Sequence, residues 1–434
     1  MALTKTKAGK PAKVVKPSKN TKRSTPSTRN HRYQSFTERI AKLHIDPVRQ
    51  KRLPNERDGL SSDTETYTGR SLAEWRDLNL SQTFTSFATQ AEPLCDSLPV
   101  LLHNEETVMG LLMEYIQKAD ALAMEPLLAL LAHFAHDMDT RFEGHVALAV
   151  SVVASVAAKH EDPAVVEWSF TCLAWLFKYL SRLLTPDLRP LYDLMSPYLG
   201  VQSQKPFIIR FAAESMSFLI RKAATQYERE NVPLDRIVGH ILESCPSTRE
   251  GRAANLHQQG VMTLLTESMK GVQNGLHSSA LSVLKCLVRC VRAKPEDGSV
   301  ALLVGTLTSL IHYTQSETFQ PVVDLLIEEL PHNSITDYDS SISLTSELLY
   351  TIITVRKGSR TRKWTGITAV LTDLVSAGCE RTDLSIRTRR QIHRTVASVF
   401  QTCPIDAVLP ALSLLFKLSE MQWAPHFLPF CEYF

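Results

Sequence analysis

The chain has 434 residues, 44% of them hydrophobic and 21% charged, enough apolar material to fold as two or three domains or as one elongated array. Its net charge of +3 conceals an asymmetry: residues 1–32 carry ten cations and no acid, which leaves the remainder at −7. The longest nearly apolar run, Val146 to Ala158, would reach only about 20 Å as a helix, short of a hydrocarbon core of about 30 Å, and no membrane partner is expected.

The ten cations are Lys5, Lys7, Lys10, Lys13, Lys16, Lys19, Lys22, Arg23, Arg29 and Arg32. With few large apolar side chains around them, residues 1–32 read as a disordered basic tail suited to polyanion contact or nuclear import. Pro11, Pro17 and Pro26 speak against the Arg-rich amphipathic helix of a mitochondrial presequence, so the nucleus is the expected compartment. Residues 33–70 read as a short helix and a linker. Phe36, Ile40 and Leu43 share one face, and Ser35 three residues before Glu38 predicts a capping box. So short a helix is marginal alone and is expected to dock on the body or on a partner. The stretch from Asp46 to Arg70, with Pro47, Pro54, Gly59 and Gly69, is polar and reads as the linker.

From Ser71 to Phe434 the pattern is helical, with helices predicted at about 81–90, 92–102, 105–118, 122–138, 142–159, 162–182, 187–199, 205–224, 232–244, 253–269, 276–293, 297–312, 318–329, 341–356, 364–377, 383–401, 404–417 and 420–431. In the helix from Lys205 to Lys222, Ile208, Phe211, Ala212, Ser215, Phe218 and Leu219 form one stripe toward a core. Proline sits near many helix starts, connections are short, and two antiparallel helices recur about every 40 residues. The reading is all-α, a HEAT- or armadillo-like solenoid over 71–434. The helix from Val165 to Leu180 is apolar almost all round, as an inner helix covered on both sides would be. Trp423 to Phe434 is rich in large apolar residues, the opposite of a polar capping repeat, and reads as an array cut short.

No motif for catalysis emerges. The chain contains no GxxxxGK[ST], GxGxxG or GxSxG string, and its eight cysteines include no CxxC pair. The cysteines are expected to be reduced and buried in an intracellular protein. His133 and His136, beside Asp137 and Asp139, lack the spacing of a zinc helix, so no metal is assigned. Neither an enzyme activity, a cofactor nor a small-molecule substrate is expected. Basic loops carry more chemistry: Arg356, Lys357, Arg360, Arg362 and Lys363 crowd beside Trp364, where phosphates could bind by counterion release and a base could stack on the indole. Arg387, Arg389, Arg390 and Arg394 lie one helix further on and could extend that stripe. The competing reading is a pair of solvated loops with salt bridges to the acidic body.

Several segments, in order over some 190 residues, resemble a known family. They are Phe36 to Gln50, Leu78-Asn79-Leu80-Ser81 with Phe84 and Phe87, Ser97-Leu98-Pro99 with Leu101 and Leu102, Leu122 to Leu128, Trp168 to Leu180, and Ile209 to Lys222. The chain resembles the amino-terminal region of the U3 small nucleolar RNA-associated protein 20 family, the very long HEAT-repeat components of the small-subunit processome, also called down-regulated in metastasis. That resemblance implies a non-catalytic nucleolar scaffold that assembles and processes precursor small-subunit ribosomal RNA. Its implied partners are precursor ribosomal RNA, the U3 small nucleolar ribonucleoprotein and other processome proteins. The alternative is a helical adaptor or transport-receptor-like solenoid that binds protein cargo.

Overall fold

The computed structural model describes residues 32–43, 66–200, 205–226, 232–244, 252–269, 297–313, 319–329, 338–355, 367–403 and 405–420, together with Leu281, Leu284, Lys285, Leu287, Val288 and Val291. Every regular element among these residues is helical. The α-helices are α1 (Phe36–Lys42), α2 (Tyr67–Asp77), α3 (Gln82–Ala91), α4 (Leu98–His103), α5 (Glu105–Lys118), α6 (Ala121–Met138) and α7 (Val146–Lys159). They continue as α8 (Pro163–Tyr179), α9 (Ser181–Leu184), α10 (Arg189–Met195), α11 (Pro206–Gln226), α12 (Val232–Ser244) and α13 (Arg252–Met269). The last are α14 (Asp297–Tyr313), α15 (Phe319–Glu329), α16 (Tyr338–Val355), α17 (Ile367–Glu380), α18 (Ile386–Thr402) and α19 (Ile405–Glu420).

The helices stack in two rows. In one, α2, α6, α8, α11, α13, α14, α16 and α18 pack each on the next. In the other, α3, α5, α7, α10 and α12 follow one another, and α17 pairs with α19. Cross-contacts such as α5 with α6, α7 with α8 and α17 with α18 close each antiparallel pair. This is the all-α solenoid that the helical period predicts: each helix buries a face against its neighbours, and one continuous core runs from Phe36 to Leu418.

Local chemistry starts the helices where expected. Asp120 caps α6 by accepting the Ala123 N–H at 2.8 Å, Asp162 caps α8 ahead of Pro163, and Ser385 caps α18 by accepting the Thr388 N–H at 3.1 Å. Asp120 also accepts the hydroxyls of Ser81 at 2.7 Å and Thr83 at 3.1 Å, which ties the start of α3 to the start of α6. The Ser81 hydroxyl first, then the Ala123 N–H, holds the Asp120 carboxyl below its ordinary value. Its stabilising effect is therefore complete above about pH 3.9 and disappears as pH falls through the depressed value. Asp120→Ala is expected to cost about 1 kcal/mol, measurable as a lower urea midpoint at neutral pH and a smaller difference from wild type in acid.

Three features depart from the sequence reading. The stretch up to Arg70 was expected to be linker, but α2 begins at Tyr67, capped by Thr66, whose hydroxyl accepts the Gly69 N–H at 2.8 Å. The decisive partner is remote: Asp137 of α6 accepts the N–H groups of Tyr67 at 3.1 Å and Thr68 at 2.8 Å. Second, predicted continuous helices at 92–102, 142–159 and 187–199 each contain a 3₁₀ turn, at Glu92–Leu94, Asp139–His145 and Ser196–Leu199. The turn at Asp139 splits residues 121–159, which are long and apolar enough to resemble a membrane span, into α6 and α7, both packed against α8. Third, α8 is not covered all round: Trp168 is 37% exposed and Trp175 and Tyr179 are half-buried.

Hydroxyls join successive helices inside the core. Thr266 of α13 meets Thr306 of α14 at 2.6 Å, and Ser346 of α16 donates to Thr395 of α18 at 3.0 Å. Cys95, Cys172 and Cys379 are buried thiols, and burial pushes Cys95 up to about 12. A native-state thiol-alkylation time course is expected to leave Cys95 unmodified until unfolding, because only the thiolate attacks. Trp423 to Phe434 lies outside the described residues.

Candidate nucleic-acid interface

The helix following the basic tail docks on the array itself. The predicted capping box is formed: Glu38 N–H donates to Ser35 Oγ at 3.2 Å, and Ser35 N–H donates to the Glu38 carboxylate at 3.1 Å. The apolar face of α1 then enters a groove between α8 and α11. Phe36 is fully buried against Phe211 and Phe218, with ring centroids 5.6 and 5.4 Å away. Tyr33 stacks on Phe207 at 4.2 Å and meets Phe170 edge-on at 6.0 Å. Burying one such ring contributes about 1.5–3 kcal/mol, and each aromatic pair about 0.5–1.5 more.

Charge finishes the docking. Arg39, 5% exposed, pairs with the Glu167 carboxylate and donates to Thr171 Oγ1 at 2.6 Å and to the Glu167 carbonyl at 3.2 Å. The Phe36 N–H donates to buried Glu214 at 2.7 Å, and Arg210 holds the other Glu214 oxygen at 2.6 Å. At the far end Lys178 Nζ donates to the Leu43 carbonyl at 2.8 Å and to that of Ile40 at 3.4 Å, satisfying the end of α1. Burial first, then Lys222, lowers the Lys178 pKa. Arg39→Ala would leave Glu167 and Thr171 without their guanidinium. It is expected to weaken docking by about 2–4 kcal/mol, seen as new tryptic cleavage at Lys42.

The docked segment fixes where the polycation leaves the body. Arg32 is exposed at its amino-terminal edge, while Lys5, Lys7, Lys10, Lys13, Lys16, Lys19, Lys22, Arg23 and Arg29 lie outside the described residues. So does the whole loop cluster of Arg356, Lys357, Arg360, Arg362, Lys363 and Trp364. The neighbouring arginines are described and divide in two. Arg387, Arg390 and Arg394 are exposed along one face of α18, with Arg394 over the Tyr350 ring at 4.2 Å. Arg389 turns inward instead and donates to the carbonyls of Arg381 at 3.0 Å and Leu384 at 3.3 Å, a structural role. A polar cleft of about 830 Å³ opens beside this face, where Arg387 and Gln391 meet Asp339, Glu347, Ser340 and Ser343.

The sequence reading did not anticipate a surface aromatic group. His133 and His136 of α6 meet rings rather than a set of carboxylates. Tyr67 lies 4.4 Å from His136, His136 5.0 Å from Tyr179, Tyr179 4.8 Å from Trp175, and Trp175 6.5 Å from His133. Burial lowers the His133 pKa and favours its neutral ring. The signal was present as Trp168, Trp175 and Tyr179 at seven- and four-residue spacing, but that spacing serves a core stripe equally well.

No protein-family model matches the chain. It is 28% identical over 335 residues, 77% of its length, to U3 small nucleolar RNA-associated protein 20 of Schizosaccharomyces pombe. It is 31% identical over 367 residues, 82% of its length, to the protein of that name from Saccharomyces cerevisiae. The chain spans only 12% and 14% of the length of these curated relatives. Among solved structures, an engineered protein aligns at 13% identity over 80% of this chain and 84% of that one, with a TM-score of 0.32, too low to bear on the fold. Over about four fifths of its length, then, this helical array resembles U3 small nucleolar RNA-associated protein 20.

Proposed function

We propose that the chain is a non-catalytic scaffold of the small-subunit processome, supporting pre-18S ribosomal RNA processing and 40S assembly in the nucleolus. The observation that carries this reading is the 31% identity across 82% of the chain to a relative whose name associates it with U3 small nucleolar RNA. The architecture suits the role. A solenoid offers a long surface on which protein partners dock, while the tail and the arginine face of α18 supply charge for RNA phosphates. In this reading the tail cations from Lys5 to Arg32 and the loop from Arg356 to Trp364 touch precursor ribosomal RNA, and other processome proteins cover the helical faces.

The test is tagged purification of the 434-residue chain from nuclear extract, with bound RNA sequenced after ultraviolet crosslinking. Enrichment of precursor small-subunit ribosomal RNA or U3 small nucleolar RNA supports the scaffold. Recovery of protein cargo with a small GTPase and no RNA would overturn it in favour of a transport-type adaptor. Deleting residues 1–32 is expected to lower RNA affinity and to reduce the salt slope by up to about 7, at roughly 0.7 per phosphate contact on single strands, with the helical content unchanged. An unaltered salt slope would remove the tail from the interface.

A further inference from the structure

We infer that the aromatic face formed by Tyr67, His133, His136, Trp168, Trp175 and Tyr179 is a stacking platform for the bases of single-stranded RNA. The inference rests on the RNA-binding reading above and adds a site to it. Its starting point is the exposed sector of α8. Glu167, Thr171 and Lys178 lie on one ridge of this helix and carry the docked segment, as the hydrogen bonds to Arg39, Ile40 and Leu43 show. At 3.6 residues per turn, Trp168, Trp175 and Tyr179 fall on the adjoining ridge, about a quarter turn away. Trp175 and Tyr179 of that ridge meet His133 and His136 of α6, which continue the ring contacts to Tyr67 of α2. Trp168 stands two turns before Trp175 and outside this chain of contacts. Tyr67 is 58% exposed and Trp168 37%, and the other four rings are half-buried.

Half-buried rings packed edge to face are rigid, so little side-chain freedom is lost when a flat ligand lies on them. The surrounding charge identifies the ligand. Exposed Arg182 of α9 follows three residues after Tyr179, and Arg32 marks where a ten-cation tail leaves the adjoining ridge. The two acids at the group are both engaged. Asp137 accepts the Tyr67 and Thr68 N–H groups and the Thr68 hydroxyl, and Glu74, which acts on His133, pairs with Arg70 at 3.1 Å. Rings that present π-faces beside cations that follow a phosphate backbone are the components of sequence-tolerant single-strand binding. A duplex hides its base faces and would use only the cations.

The experiment compares two probes on the full 434-residue chain, a labelled 12-nucleotide oligouridine and a ribose-phosphate oligomer of equal length without bases, by fluorescence anisotropy at fixed salt. The variants are Tyr67→Ala, Trp168→Ala and the double substitution; both side chains are exposed, and circular dichroism checks the fold. The expected result is tighter binding of the oligouridine, a loss of at least about fivefold for each ring removed, and unchanged binding of the baseless oligomer. Equal affinity for both probes, indifferent to the substitutions, would overturn the platform while leaving phosphate contact by the tail intact. A labelled proline-rich peptide that binds and is lost in the double variant, with no base preference, would assign the face to a protein partner and equally overturn it. Failure of both oligomers to bind would remove the RNA-binding reading itself.

Discussion

Phe36→Ala is expected to release residues 32–43 from the array while the array stays folded. Phe36 is fully buried between Phe211 and Phe218, and truncating such a ring costs about 3–5 kcal/mol. A seven-residue helix has no stability of its own to resist that loss, since helices of this length are marginal in water even with a good cap. Docking should therefore weaken by at least about a hundredfold. Limited trypsin digestion read by mass spectrometry provides the measurement. In the native protein Arg39 is sheltered by Glu167 and Thr171, so cleavage after it is slow. In the variant, Arg39 and Lys42 should both be cut early, with fragments of the body unaltered. Retained protection at Arg39 would place the docking energy in the ion pair and the Glu214 hydrogen bond instead. Release would also separate the point where the tail emerges from the aromatic ridge on α8, so oligouridine binding should fall in the same variant.

Gly260→Ala should destabilise the middle of the solenoid, against the usual sign of such a change. Alanine in a helix interior is ordinarily better than glycine by about 1 kcal/mol. At Gly260 of α13, however, a Cβ would lie 2.1 Å from the Leu199 carbonyl oxygen and 2.9 Å from its carbon. Both are backbone atoms and cannot rotate away. Relief requires α13 to back off from the turn at Ser196–Leu199, and α11 packs on both. Gly200 makes the same approach from the other side: its φ of 149° is a glycine conformation, and a Cβ there would meet His257 N at 2.4 Å. The expected cost is at least about 1–3 kcal/mol, read as a lower thermal midpoint and faster hydrogen exchange in α11 and α13. Gly110→Ala is the control. Nothing lies within 4 Å of its Cβ position on the exposed side of α5, so that variant should gain up to about 1 kcal/mol.

What the sequence determined by itself is the part of the structure set by neighbours within a few residues. The Ser35–Glu38 box is a contact between positions three apart, and it forms as read. The same holds for α12, whose ends at Val232 and Ser244 follow from its own pattern, and for Ile208, Phe211, Ala212, Ser215 and Leu219 of α11, all buried. Solenoids are unusually legible in this way because each repeat mainly touches the next. Tertiary structure alone decided whatever joins residues far apart in the chain. The start of α2 depends on Asp137, some 70 residues downstream, and buried Glu214 accepts the N–H of Phe36 from 178 residues away. The fate of a short amphipathic helix could not be read from its own residues, since its apolar face fits a partner as well as the body. Trp168, Trp175 and Tyr179 show the same limit: a helical aromatic stripe has one period whether a neighbour covers it or water does. That choice rests on the angle at which α6, α8 and α11 pack, a property of side-chain shapes summed over several helices rather than of any one.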